Sequence, residues 1–285
     1  MRHLLKLIVS FVLIFKTYAL ANPCVIGELS GQLGNQMFQI ATAFSLAIDN
    51  KARPIFPDLP IKENEGVPEN YKHIFRHLNV GPLPNHVNEY FEPSYGYTPI
   101  PYAPNIRLHG YFQSWKYFDH HRSLIKKLFA PSPAIKKYLK SKYADILSDP
   151  KTVSIHIRTY FKEDPNRYVY PFNGREYVQE AMKLFPEDSH YIVFASPSDM
   201  PWCKENLADL ASSIRFIEDY YIYDIYLQSC CRHNIISNST FSWWSAYLNR
   251  NPKKMVVVPG RWFQPGTGLS IEDLIPPKWK ILYSY

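Results

Sequence analysis

From Val25 onward, short apolar runs alternate with stretches whose apolar positions recur at helical spacing, the pattern of an α/β protein. "CVIGEL" (24–29) reads as a strand. "NQMFQIATAFSLAIDN" (35–50) places Met37, Phe38, Ile40, Ala41, Phe44 and Leu46 near one helical face. "ARPIF" (52–56) reads as a second short strand. Periodicity then lapses: residues 57–110 are rich in Pro, Asn and Tyr and read as a loop-rich surface, where specificity often resides. Residues 106–129 read as strand, turn and helix, and 131–147 as a helix that starts after prolines.

The alternation restarts at Lys151. "TVSIHIR" (152–158), "HYIVFAS" (190–196), "IRFIE" (214–218), "HNIISN" (233–238) and "KKMVVVPG" (253–260) read as strands. Helical segments at 174–185, 198–207, 222–231 and 240–249 separate them. This alternation predicts a parallel, doubly wound sheet. The break near 131–150 divides the chain into lobes 22–145 and 146–285, with no internal repeat or low-complexity tract.

Residues 1–21 stand apart. Arg2 and Lys6 precede an apolar run from Leu7 to Phe15, and Ala19-Leu20-Ala21 resembles a cleavage site. The run is short for a membrane span, but Lys6 and Lys16 could snorkel, so the segment is expected to be a signal peptide or an uncleaved membrane anchor. The charge of +7 favours anionic partners such as nucleotide phosphates or a membrane surface. Without a long Lys/Arg run or zinc-finger spacing, no nucleic-acid partner is expected. The four cysteines form no CxxC pair, which excludes a zinc ribbon and a disulfide scaffold and leaves buried thiols as the expectation.

Four stretches could carry chemistry. "GELSGQLGNQMFQIATAFSLA" (27–47) has the strand–glycine-loop–helix form that holds phosphates, yet it lacks the P-loop lysine and the dinucleotide glycine spacing. In "SIHIRTYF", period-two geometry puts His156 and Arg158 on one face at a strand end, where doubly wound sheets bind ligands. An arginine there can fork onto a diphosphate; alone, it can equally form a surface ion pair. In "HNIISNSTFSWWSAYLN", Ser237, Asn238, Ser239 and Thr240 crowd a helix start, an anion site by its free N–H groups and dipole. Plain capping is the rival reading, but four polar residues exceed what a cap needs. Asn238-Ser239-Thr240 also fits a glycosylation sequon, though a buried turn is a poor acceptor. Trp243 and Trp244 read as core. Asp224 lies between tyrosines on a helix, and spacing alone favours a solvent-facing carboxylate.

Together, "GQLGNQMFQIATAFSLA", "HGYFQSWKYF", "VSIHIR" and "CRHNIISNSTFSWWSAYLN" resemble the signature blocks of the α-1,2-fucosyltransferase family, glycosyltransferase family 11, in the right order over nearly the whole chain. The resemblance implies a GT-B-like, two-lobed glycosyltransferase with a Rossmann-like C-terminal donor-binding lobe. It implies metal-independent, inverting transfer of L-fucose from GDP-β-L-fucose to the 2-OH of a terminal galactose in a glycan. By position, Arg158 would neutralise the β-phosphate, with His156 near the nucleotide. Ser239 and Thr240, beside Asn238, would form the phosphate cradle, and Asp224 would read guanine. Asn35 would approach the reacting centre, and the loop glycines, Gly34 among them, would let backbone come close. The family often continues H-x-R with Arg-Gly-Asp-Tyr; this chain has Thr159-Tyr160-Phe161-Lys162-Glu163-Asp164, which leaves the base unassigned, with Glu163 and Asp164 as candidates. The alternatives are a related O- or α-1,6-fucosyltransferase, or a secreted, non-catalytic carbohydrate-binding relative. The implied partners are GDP-fucose and a galactose-terminated oligosaccharide acceptor; the N-terminal segment adds a membrane, so the expected location is membrane-associated, lumenal to the Golgi in a eukaryote, or secreted if the signal is cleaved.

Overall fold

The computed structural model describes residues 23–160 and 164–283. The expected signal or anchor at 1–21 lies outside the described residues. Among the described residues, no helix is long and apolar enough to cross a membrane.

Two parallel sheets organise the chain. The first holds β1 (Cys24–Gly27), β2 (Arg53–Ile55), β3 (Asn88–Phe91) and β4 (Ile106–His109) in the order β2-β1-β4-β3. The Leu33–Asp49 helix connects β1 to β2 and buries Met37, Phe38, Ile40, Ala41 and Phe44 of the face its spacing predicts, while Leu46 is half-buried and Gln36, Gln39, Thr42 and Ser45 are buried as well, so the helix is covered on more than one side. Two elements inside 57–110 are findings against the loop-rich reading. The Val67–His73 helix starts behind Gly66 at φ +66°, with Pro68 in its first turn. Strand β3 is an edge strand whose residues stay mostly exposed, so no burial alternation marked it.

The second sheet holds β5 (Thr152–Ile157), β6 (His190–Ala195), β7 (Ile214–Ile217), β8 (His233–Ile235), β9 (Val256–Pro259) and β10 (Lys280–Leu282). Its order, β10-β9-β8-β5-β6-β7, is that of a dinucleotide-type doubly wound fold. All its pairings are parallel, and β5 is fully buried, as expected of a central strand covered by helices on both faces. The strand order reverses between β5 and β8, so their C-terminal ends open a crevice.

The two sheets share one aromatic core. Phe38, on the helix after β1, meets Trp243 and Trp244, on the Thr240–Leu248 helix after β8, at ring-centroid distances of 4.6 and 5.2 Å, and both tryptophans are fully buried. The Trp243 indole N–H donates to the Leu274 carbonyl at 3.0 Å. The C-terminal segment also crosses back to the first half: Ser114 Oγ donates to the Asp273 carbonyl, and Asp273 pairs with Lys116. Between the sheets, the Pro133–Lys142 helix, capped by Ser132, lies against the Tyr221–Cys230 helix, and Tyr138 and Tyr143 both donate to Asp219. All four cysteines are free. Cys24, Cys203 and Cys231 are buried as expected, whereas Cys230 is exposed at a helix end.

Candidate active site

A cleft of about 530 Å³ opens at the reversal point, walled by both halves of the molecule. Its size lies in the range of small-ligand sites. Gln32, Leu33 and Gly34 of the glycine loop face it from one side; His156, Arg158, Asp224, Ser239 and Thr240 face it from the other.

His156 is the penultimate residue of β5, and Arg158 follows the strand end. The guanidinium is aimed by two carboxylates: Asp164 Oδ2 lies 2.6 Å from Nη2, and Asp199 Oδ2 lies 3.6 Å from Nη1. Asp199 is buried and accepts from the Thr159 and Ser196 hydroxyls, so it is a fixed reference for the arginine. The Tyr160 ring lies beneath the guanidinium at 5.2 Å. This geometry also gives the departure after Arg158 a structure. Tyr160 stands where the family continuation has glycine and takes a glycine-like φ of +49°, while its hydroxyl donates to the Asn238 carbonyl. Asp164 is engaged by Arg158 and is no free base in this state. Glu163, the other candidate, lies outside the described residues.

His156 is buried, and desolvation beside Arg158 pushes it down to about 3. It therefore stays neutral at working pH, with Nδ1 paired to Ser237 Oγ at 2.8 Å. In the unfolded chain it would take up a proton near pH 6.5. Between pH 6.5 and about 3 the unfolded state binds more protons at this site, so stability falls as pH drops, by up to about 1.4 kcal/mol per unit. Urea unfolding at pH 4.5 and 7 is expected to show a smaller acid loss in His156→Gln than in the parent; an equal loss would refute the assignment.

The Thr240–Leu248 helix begins at the end of β8, with Ser239 as its N-cap residue. Ser239 makes no side-chain capping bond, so plain capping does not account for the polar run, and the first N–H groups stay available to an anion. Thr240 Oγ1 donates to Asn35 Oδ1 at 3.0 Å, and Gln113 Nε2 donates to the same oxygen at 3.0 Å. Asn35 thus bridges the glycine loop to this helix start from beside the cleft. Gly34 packs on the same spot: an added Cβ would lie 2.4 Å from Thr240 Oγ1 and 2.6 Å from Phe241 N. The close approach expected of the loop glycines is made, at Gly34, to the neighbouring helix.

Asn238 departs from its expectation. Its amide donates to the Pro171 and Trp262 carbonyls at 2.8 and 3.0 Å, and it is buried outside the cleft wall. It holds the turn, and the same burial makes its sequon a poor glycosylation site.

Asp224 also departs from the solvent-facing reading: it is 6% exposed and lines the cleft. Its Oδ1 has no hydrogen-bond partner, and burial together with nearby Asp219 pushes the carboxyl up to about 8. One turn on, Gln228 lines the same cleft with an unpartnered Nε2. Unsatisfied buried polar atoms are costly, and a pair of them in a cleft suits a ligand that brings both donors and an acceptor.

Sequence reading missed Asp199, Gln228 and Asn70; Ser237, read with the polar run at the helix start, instead holds His156. Gln228 had a signal, its i+4 spacing from Asp224. Asn70 had none: it bonds Gln36 from one side and Tyr221 from the other, joining the two halves beneath the cleft.

A model of the family described as Glycosyl transferase family 11 matches residues 23–279. The chain is 25% identical to an alpha-1,2-colitosyltransferase of Escherichia coli, over 90% of this chain and 97% of that protein. It is 28% identical to galactoside alpha-(1,2)-fucosyltransferase 2 of Oryctolagus cuniculus, over 76% of this chain and 65% of that protein. Among solved structures, NodZ alpha-1,6-fucosyltransferase of Bradyrhizobium, co-crystallized with GDP, superposes with a TM-score of 0.53 at 12% identity, over 79% of this chain and 91% of that one. Arabidopsis thaliana FUT1, a mutant in complex with GDP, gives 0.50 at 15% identity, over 87% and 74%. At these identities the likeness establishes the fold, a GT-B-like pair of α/β lobes.

Proposed function

The chain belongs to glycosyl transferase family 11 and is a glycosyltransferase, and on that premise we propose that it moves L-fucose from GDP-β-L-fucose to the 2-OH of a terminal galactose, with inversion. The observation that carries the donor assignment is the joint placement of Arg158, an uncapped helix start and the unpartnered Asp224 carboxylate in one cleft. The first two suit a diphosphate. The third suits the paired N–H groups of guanine.

In this reading, negative charge grows on the β-phosphate as the fucosyl–oxygen bond breaks. Donors already aimed at that charge give the largest catalytic contribution. Arg158, held by Asp199, and the N–H groups that follow Ser239 would supply them; the diphosphate would displace Asp164 from the arginine. Neutral His156 is unsuited to act as a base on account of its low proton affinity. Transfer would need no metal. Membrane association through residues 1–21 remains part of the proposal.

Asp224 gives a test of the donor. Only the ionised carboxylate accepts from both guanine N–H groups, and in the free protein it ionises near pH 8. Binding below that pH must expel a proton, so GDP affinity should rise with pH, by up to about tenfold per unit, and level off above about pH 8. Asp224→Asn should bind GDP roughly 10- to 100-fold more weakly at pH 8.5 and with a flat pH dependence. Calorimetric titration with GDP, ADP and UDP at several pH values checks this; equal affinity for the three nucleotides would sink the guanine assignment.

One observation favours a second donor. The colitosyltransferase aligns over nearly its whole length. GDP-colitose should therefore be compared with GDP-fucose in the same competition.

A further inference from the structure

A cluster outside the cleft has the makings of a metal site. Asp49 ends the Leu33–Asp49 helix, and His120 and His121 close the short turn Asp119–His121. His120 Nε2 lies 2.9 Å from one Asp49 oxygen, and His121 Nε2 lies 2.7 Å from the other. The two imidazoles sit side by side, with centroids 4.4 Å apart. One ligand atom from each of the three residues can be chosen so that all lie within 4.8 Å of one another.

An acid in the last turn of a helix faces the negative end of the dipole, and this last turn holds no basic residue. The nearby Arg122 is committed to Asp119, by bonds of 2.7 and 2.9 Å. The imidazole hydrogen bonds answer the carboxylate alone, whereas a metal cation held by all three side chains answers both it and the helix end. Two imidazole nitrogens and one carboxylate are the donor set of a borderline ion of the zinc class and unsuited to magnesium or calcium.

We propose that Asp49, His120 and His121 bind one divalent transition-metal ion, with zinc as the reference ion and water completing a four-coordinate shell. Each Nε2 would exchange its contact with Asp49 for the metal; its proton moves to Nδ1 in a neutral ring or leaves to solvent from a charged one. None of the three residues lines the donor cleft, so the ion takes no part in transfer. It would pin the far end of the glycine-loop helix to the segment that carries His120 and His121, and its signature is stability.

The test uses the full-length chain without a histidine tag, with ZnCl₂ as the probe. Calorimetry should find a zinc site that His120→Ala and His121→Ala each weaken at least tenfold. At zinc about 100-fold above its dissociation constant, the parent's melting temperature should rise by roughly 5 °C, reversed by chelator and absent in the variants. Both histidines lie at the surface turn, and circular dichroism of each variant verifies its fold before titration. Zinc uptake and a thermal shift that are the same in the parent and both variants would overturn the site, as would no uptake by the parent.

Discussion

Arg158→Ala should lower kcat/KM for fucosyl transfer by about 10³-fold, with the fold intact. Loss of one preorganised donor to a developing oxyanion typically costs 10²–10³-fold, and here the donor also carries the cleft's fixed positive charge. The fold should survive because Asp199, the buried partner, keeps the hydroxyls of Thr159 and Ser196. Arg158→Lys should recover little, since an ammonium cannot hold the two-pronged geometry that Asp164 and Asp199 impose on the guanidinium. Steady-state kinetics beside a urea melt would check both parts. A variant with near-parental kcat/KM would remove Arg158 from the chemistry.

The second large effect is expected at Gly34. By helix propensity alone, alanine in this helix would be favoured over glycine by about 1 kcal/mol. The added methyl, however, would lie 2.6 Å from both Phe241 N and Thr240 C, backbone atoms that cannot rotate away as a side chain could. The clash should prevail: Gly34→Ala is expected to destabilise the protein by roughly 1–3 kcal/mol. It should also push the cleft-facing helix start off the glycine loop, and a displacement of about 1 Å at such a site can cost 10²-fold in rate. Urea unfolding and kcat/KM measured together would show both losses; a variant that is more stable and fully active would contradict the contact.

These two positions show what was legible in the sequence. Arg158 could be placed at the crevice because a buried β-branched strand leads into it and the following alternation dictates a doubly wound sheet. Gly34 could be flagged as a close approach, but its partner, Thr240, lies in the other lobe, and no local pattern carries that pairing. Spacing alone read Asp224 as solvent-facing, and it failed for a physical reason, although the residue lines the cleft as the resemblance implied. Its helix is covered on more than one side, by the Thr240–Leu248 and Pro133–Lys142 helices, so a polar residue between tyrosines is buried where a singly covered helix would expose it. Asn238 looked like a ligand because it belongs to the same polar run as Ser239 and Thr240, yet its amide serves the carbonyls of Pro171 and Trp262, which only the tertiary fold brings near. Strand β3 escaped because edge strands need no burial alternation. The Asp49–His120–His121 cluster escaped because its members come from distant segments and share no spacing motif.

The most direct test of the central claim is linkage analysis of the product formed by the full-length chain from GDP-fucose and lactose in the presence of chelator, with Arg158→Ala alongside. The expected product is fucosyl-lactose joined through O2 of galactose, inverted at the fucose anomeric centre and nearly absent with the variant. Fucose at another hydroxyl, or a product that the variant makes equally well, would contradict it.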